Sequence, residues 1–111
     1  MTQIWHNPRC TKSGLTVKLI AEHTPEVRLY LQDPPSADEI AEVLVKLGMT
    51  AAQMIRKGED IYKELGLKDA DEAALIAAMV AHPILIERPI VIVGDRAAIG
   101  RPPEDVLPLF G

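Results

Sequence analysis

Residues 5–13 read "WHNPRCTKS" and hold the only cysteine, Cys10, of a 111-residue chain. Before them, residues 2–5 are short and apolar enough for a strand. After them, Leu15, Val17, Leu19 and Ile20 predict a helix from Thr11 to His23 with one buried face. The stretch therefore reads as a strand, a His-Asn-Pro turn and a helix start, with the thiol at the junction. A helix after a strand asks for a second strand parallel to the first, reached by a right-handed crossover. "EVRLYL" (26–31) supplies it, with Val27, Leu29 and Leu31 alternating against Arg28 and Tyr30 as a half-buried strand.

Beyond this unit "QDPPS" breaks the pattern, and Ser36 with Glu39 makes a capping box. The helix it opens carries Ile40, Val43, Leu44 and Leu47 on one face, and Gly48 is placed to end it. Residues 50–68 read as short helical pieces, "TAAQMIRK" and "DIYKELG", punctuated by Gly58 and Gly66. A further helix over 71–81 uses Leu75, Ile76, Met79 and Val80. "PIVIVG" (89–94) is a continuous β-branched run, predicting a strand buried on both faces. Gly94-Asp95 signals a hairpin into "RAAIG", and Pro102-Pro103-Glu104-Asp105 a last helix that Pro108 shortens or bends. The order is β-α-β, a helical insertion at about 36–81, then β-β-α. That is an α/β domain with the plan of a thioredoxin-like sandwich, one domain over residues 1–111.

The totals narrow the function. Hydrophobic residues make 48% of the chain and charged residues 25%, as in ordinary globular domains. A net charge of −4 lacks the basic face that sequence-independent nucleic-acid binding needs. No apolar run is long enough to span a bilayer, and the opening Met-Thr-Gln lacks the marks of an export signal. One cysteine forms no internal disulfide, so a reducing cytoplasm is the expected setting. Three scattered histidines and one cysteine show no metal-ligand spacing. His23 falls near a helix end, where its cation suits the dipole, and His82-Pro83 is placed to terminate the 71–81 helix.

A lone cysteine has two readings: a small buried hydrophobe or a nucleophile. Its position after a strand, at a helix N-terminus and without apolar neighbours, suits the second. A free thiol of pKa about 8.5 is only roughly 3% thiolate at pH 7, whereas a pKa of about 6.5 gives roughly three-quarters, a change worth about 2.7 kcal/mol. A helix dipole supplies about 0.3–1 kcal/mol, so cations or hydrogen bonds must add the rest. His6, Arg9, Lys12 and the Ser13 hydroxyl are near in sequence. Far along the chain, Arg88-Pro89 precedes the buried strand. In a thioredoxin-like order Pro89 is a cis-proline candidate facing the cysteine, with Arg88 aimed at the thiol to hold an anion.

Taken together, "HNPRCTKS", "YLQDPPS", "MIRKGEDIYKELGL", "HPILIERPIV" and "IGRPPEDVL" resemble, in this order, the glutaredoxin-coupled arsenate reductase family, in its compact form. The resemblance runs from residue 4 to about residue 107, and the joint occurrence of its motifs is specific. It implies that Cys10 attacks arsenate to form a thiol–arsenate adduct, which glutathione and then glutaredoxin resolve. It implies no bound cofactor, with glutathione as co-substrate. It assigns the oxyanion to Arg56, Arg88 and Arg101, and the low thiol pKa to His6. Three guanidiniums would neutralise the charge that otherwise repels an attacking thiolate. The chain departs from the usual pattern after the cysteine, where Thr11-Lys12 stands in place of Gly-Thr. Thr11 removes the freedom of glycine and Lys12 adds a cation.

Two other functions fit the same residues. A monothiol oxidoreductase acting on glutathione mixed disulfides needs Cys10 but not the arginines. A non-enzymatic regulator, similar to redox-sensing proteins of this fold that bind RNA polymerase, usually carries C-x-x-C, where Ser13 here replaces the second cysteine.

Overall fold

The computed structural model describes all residues, 1–111. The chain divides into two compact units, one of residues 1–33 and 88–111, the other of residues 34–87. The second takes in more than the expected insertion, adding Pro34-Pro35 before it and residues 82–87 after it.

The first unit holds the sheet. Its elements are β1 (Thr2–Trp5), α1 (Thr11–Leu19), a 3-10 turn at Ala21–His23, β2 (Glu26–Arg28), β3 (Ile90–Val93), β4 (Arg96–Ile99) and a 3-10 helix, Pro103–Phe110. The strand order is β2-β1-β3-β4. β1 and β2 run parallel, with Ile4 opposite Val27. β3 runs antiparallel to both β1 and β4, with Ile4 opposite Val91 and Ile90 opposite Ile99. This mixed sheet with its helices is the thioredoxin-like arrangement that the element order predicts. One face packs Ile4 and Val91 against Ile20, Val106 and Leu109, all buried. Each such aliphatic side chain contributes about 1.5–3 kcal/mol by leaving water. Trp5 and Ile90, on the other face, are also fully buried.

Three expectations change here. α1 ends at Leu19, and its inward face is Ser13, Thr16 and Ile20, with Val17 packed beside them, while Leu15 is 50% exposed. At about 100° per residue, Leu15 and Leu19 fall on a different side from Val17 and Ile20, so the apolar residues never formed one stripe. β2 is only three residues long, and the parity of its alternation is inverted: Tyr30 is fully buried and Val27 is 46% exposed. The chain leaves the sheet after Arg28, where the Leu29 carbonyl accepts the N–H groups of Gln32 and Asp33 (both 2.9 Å), so a two-residue period no longer governs Tyr30. The Arg28 guanidinium lies 5.6 Å from the centre of the Trp5 ring, an arginine stacked inward where the alternation put it outward. Finally, the C-terminal helix is 3-10 and contains Pro108, which lacks the N–H that an α-helix interior requires.

The second unit is helical: α2 (Ala37–Leu47), α3 (Ala51–Met54), α4 (Asp60–Glu64) and α5 (Glu72–Ala81). The Ser36–Glu39 capping box closes in both directions, at 3.1 and 3.0 Å. Gly48 ends α2 in the left-handed conformation (φ 67°), a position that costs a side chain about 1–2 kcal/mol. α5 starts on Asp71, whose Oδ1 accepts the Ala74 N–H at 2.8 Å, and ends at His82 before Pro83. α3 is shorter than "TAAQMIRK" suggests. The backbone turns extended at Ile55, which bridges to Ile86, and Arg56 N–H bonds to the Leu85 carbonyl at 2.8 Å. No helix of the protein is long and apolar enough to cross a membrane.

Candidate active site

The turn between β1 and α1 is built on Asn7, which is 4% exposed. Its carbonyl accepts the Cys10 N–H at 3.0 Å, its Oδ1 accepts the Arg9 N–H at 3.0 Å, and its own N–H donates to Ser13 Oγ at 3.1 Å. An asparagine side chain that mimics a backbone turn suits this position, and the following proline fixes φ. The result pins Cys10 as the N-cap of α1 (φ −97°, ψ 121°), with Gly14 N–H returning to the Cys10 carbonyl at 3.0 Å.

Cys10 is half-buried. Burial by itself pushes the thiol up. The Ser13 N–H, then the Arg88 guanidinium through hydrogen bonding and charge, then the Lys12 N–H outweigh it and hold the thiol below its ordinary value. The sulfur makes no capping hydrogen bond of full geometry, so the two N–H groups act on it as aimed dipoles. The cation that acts on the sulfur is therefore Arg88, seventy-eight positions away in the chain. Arg9 and Lys12, near in sequence, are exposed.

His6 and Ser13 reach the thiol by a different route from the one their chemistry suggests. His6 Nδ1 lies 2.6 Å from Ser13 Oγ. Burial holds the imidazole below its usual pKa, so the ring is neutral near pH 7. Ser13 Oγ also accepts the Asn7 N–H, so the hydroxyl ties the imidazole ring to the turn. The Ser13 hydroxyl thus serves the turn, and it is the Ser13 backbone N–H that faces the sulfur.

Around Arg88 the backbone is tied to the end of β4. The Arg88–Pro89 bond is cis, and so is Arg101–Pro102. Gly100 N–H bonds to the Pro89 carbonyl at 2.9 Å, and Arg101 Nη1 donates to the Arg88 carbonyl at 3.2 Å. Cys10, His6, Ser13, Arg88, Pro89 and Arg101 all belong to the first unit, and Arg101 meets Arg88 through its backbone. Arg56 belongs to the second, where Nε pairs with Glu59 at 3.1 Å and Nη1 with Glu87 at 2.6 Å. Burial alone would lower its pKa, but the Glu59 and Glu87 carboxylates raise it instead. Sequence reasoning passed over two residues, Asn7 and Gly100. The Asn-Pro pair was a local signal for the first; nothing local marks the second.

A thioredoxin-like sheet whose first helix opens on a lone cysteine, with an arginine acting on its sulfur, defines an α/β protein of the thioredoxin-like class. Comparison with known proteins carries this further: the chain belongs to the ArsC family, which it matches over residues 5–109. It is 50% identical over 114 residues to the uncharacterized protein YfgD of Escherichia coli K12, covering 98% of this chain and 96% of that one. It is 44% identical over 109 residues to the arsenate reductase of Neisseria meningitidis, covering 94% and 93%. The solved structure of the arsenate reductase from Vibrio cholerae superposes with a TM-score of 0.94 at 43% identity, covering 98% of this chain and 97% of that one.

Proposed function

We propose that this protein is an arsenate reductase in which Cys10 is the nucleophile. The observation that carries the proposal is the environment of one sulfur: N–H groups of Ser13 and Lys12 and the Arg88 guanidinium all favour its thiolate. The same groups attract an oxyanion. Membership of the ArsC family and the arsenate reductases among its relatives supply the substrate.

The chemistry balances with external thiols alone. Cys10 Sγ forms an S–As bond as one arsenate oxygen leaves as water. A glutathione thiol then bonds at arsenic as a second oxygen leaves as water. The two sulfurs couple, both S–As bonds break with two electrons passing to arsenic, and arsenic departs, taking up water, as arsenite. The two sulfurs remain as a Cys10–glutathione disulfide, which glutaredoxin reduces. A chain with one cysteine needs that outside thiol, and a glutathione-rich reducing cytoplasm is the setting that supplies it. A concavity of about 410 Å³, walled by His6, Pro8, Arg9, Leu31 and Gln32, lies beside the turn that carries Cys10. Within this mechanism Arg88 and Arg101 hold the oxyanion. Arg56, which the family resemblance assigns to the same anion, has its Nε on Glu59 and its Nη1 on Glu87.

The test is arsenate-dependent NADPH oxidation coupled through glutathione, glutaredoxin and glutathione reductase, with the wild type beside Cys10→Ser. Turnover by the wild type that falls to background in the serine variant is expected. A wild type that is inert to arsenate while its thiol alkylates normally would overturn the assignment.

A further inference from the structure

Gly100 touches both sides of the thiol corner. A Cβ at this position would stand 2.7 Å from Thr16 Oγ1 and 2.9 Å from Pro89 Cγ, closer than real Cβ atoms approach, and a tight 3.3 Å from Thr16 Cγ2. Its φ lies outside the left-handed region, so backbone freedom is not what calls for glycine here. Space is. On one side, Thr16 is fully buried in α1, about 9 Å along the helix from Cys10. Its Oγ1 donates to the Lys12 carbonyl at 2.8 Å, and its β-branched side chain has little rotamer freedom with which to yield. On the other side, the rigid Pro89 ring follows Arg88, and Gly100 N–H holds the Pro89 carbonyl at 2.9 Å.

We propose that Gly100 is a positioning residue: the absence of its side chain lets α1 and the Arg88–Pro89 segment close to the separation at which Arg88 acts on Cys10. The contact runs from Cys10 down α1 to Thr16, across Gly100 to Pro89, and back to Arg88. A methyl group at position 100 wedges this circuit open, and everything that yields moves the guanidinium away from the sulfur. The importance of that separation rests on Cys10 being the nucleophile, but its measurement requires no arsenate.

The experiment measures the pH dependence of Cys10 alkylation by iodoacetamide in wild type, Gly100→Ala, Thr16→Ala and the double variant. The groups that face the sulfur are Arg88 and the Ser13 and Lys12 N–H groups, with His6 one contact further through Ser13. Gly100→Ala is expected to raise the midpoint by about half a pH unit and slow alkylation by up to about threefold at pH values below the midpoint, because Coulomb attraction falls inversely with separation. Thr16→Ala alone stays near wild type. The double variant lies between, since the Thr16 contact is relieved and the Pro89 contact remains. A folded Gly100→Ala with the wild-type midpoint overturns the proposal. Where Gly100→Ala does not fold, the double variant is read against Thr16→Ala: a higher midpoint supports the wedge and an equal one overturns it. Failure of the arsenate assignment shows separately, as a wild type without turnover whose midpoint still responds to Gly100→Ala.

Discussion

Arg88 and Arg56 are the same residue type put to opposite uses. Arg88 spends its charge on a sulfur and lowers the pKa of a thiol. Arg56, in the other unit, is closed between Glu59 and Glu87, and those carboxylates raise its own pKa. A guanidinium with two carboxylates at 3.1 and 2.6 Å has its Nε and Nη1 engaged and its charge offset, so it adds order to its own loop. The other guanidinium faces a half-buried thiol and favours its thiolate. A motif that counts arginines cannot distinguish the two; their partners do.

The largest effect expected from breaking this contrast belongs to Arg88. Arg88→Ala should lower arsenate turnover about 10²- to 10³-fold, the usual loss when one preorganised donor to a developing oxyanion is removed. It should also raise the alkylation midpoint of Cys10, since the hydrogen bond and charge of Arg88 both act to lower it. Loss of turnover with an unmoved midpoint would separate the anion role from the thiol role and assign Arg88 only the first. Full turnover toward glutathione mixed disulfides in the same variant would favour a monothiol oxidoreductase instead.

Arg56→Ala comes next, and its signature should be stability. Removing it leaves Glu59 and Glu87 without their shared cation, at a cost of about 1–2 kcal/mol for a pair about a quarter exposed. The cost would show as a lower urea midpoint at unchanged slope. The alkylation midpoint should stay at the wild-type value, because the groups acting on the sulfur are Arg88 and the Ser13 and Lys12 N–H groups. A severalfold rise in the arsenate KM would show that Arg56 also contributes to holding the substrate. An unchanged KM together with lost stability would make it a structural residue.

The difference between these arginines also marks what a sequence can disclose. The elements whose cause is local were legible: the Ser36–Glu39 capping box, the buried run of Ile90–Val93, the turn into the hairpin at Gly94, and the strand-to-helix junction that puts Cys10 at an N-cap. Those whose cause lies far along the chain were not. A local bend also defeated the alternation: β2 stops at Arg28, the chain turns on the Leu29 carbonyl, and Tyr30 is buried while Val27, on the edge strand, is 46% exposed. Apolar residues on two sides of α1 concealed which side meets Val91 and Val106. Within the candidate site, the thiol and Arg88 could be singled out, but the Glu87 carboxylate on Arg56 and the closeness of Gly100 to Thr16 depend on contacts between residues dozens of positions apart.

His6 carries the smallest effect and sharpens the account of the thiol corner from its edge. Its imidazole is held neutral by burial, with Nδ1 engaged by Ser13. The folded pKa is therefore below that of the unfolded chain, about 6.5. Between the two values the unfolded state binds more protons, so stability is complete above about pH 6.5 and falls as pH drops through that window. Wild type and His6→Gln, unfolded with urea at a series of pH values from 7.5 down to 5, should diverge: the wild type loses stability below about pH 6.5 while the glutamine variant stays level over the same range. The alkylation midpoint of Cys10 should scarcely move, because a neutral ring bound to a hydroxyl places no charge beside the sulfur. A midpoint that rises clearly in His6→Gln would mean that the ring takes up a proton when the thiolate forms, and His6 would then stand with Arg88 as a direct activator of the thiol rather than a support for the turn that presents it.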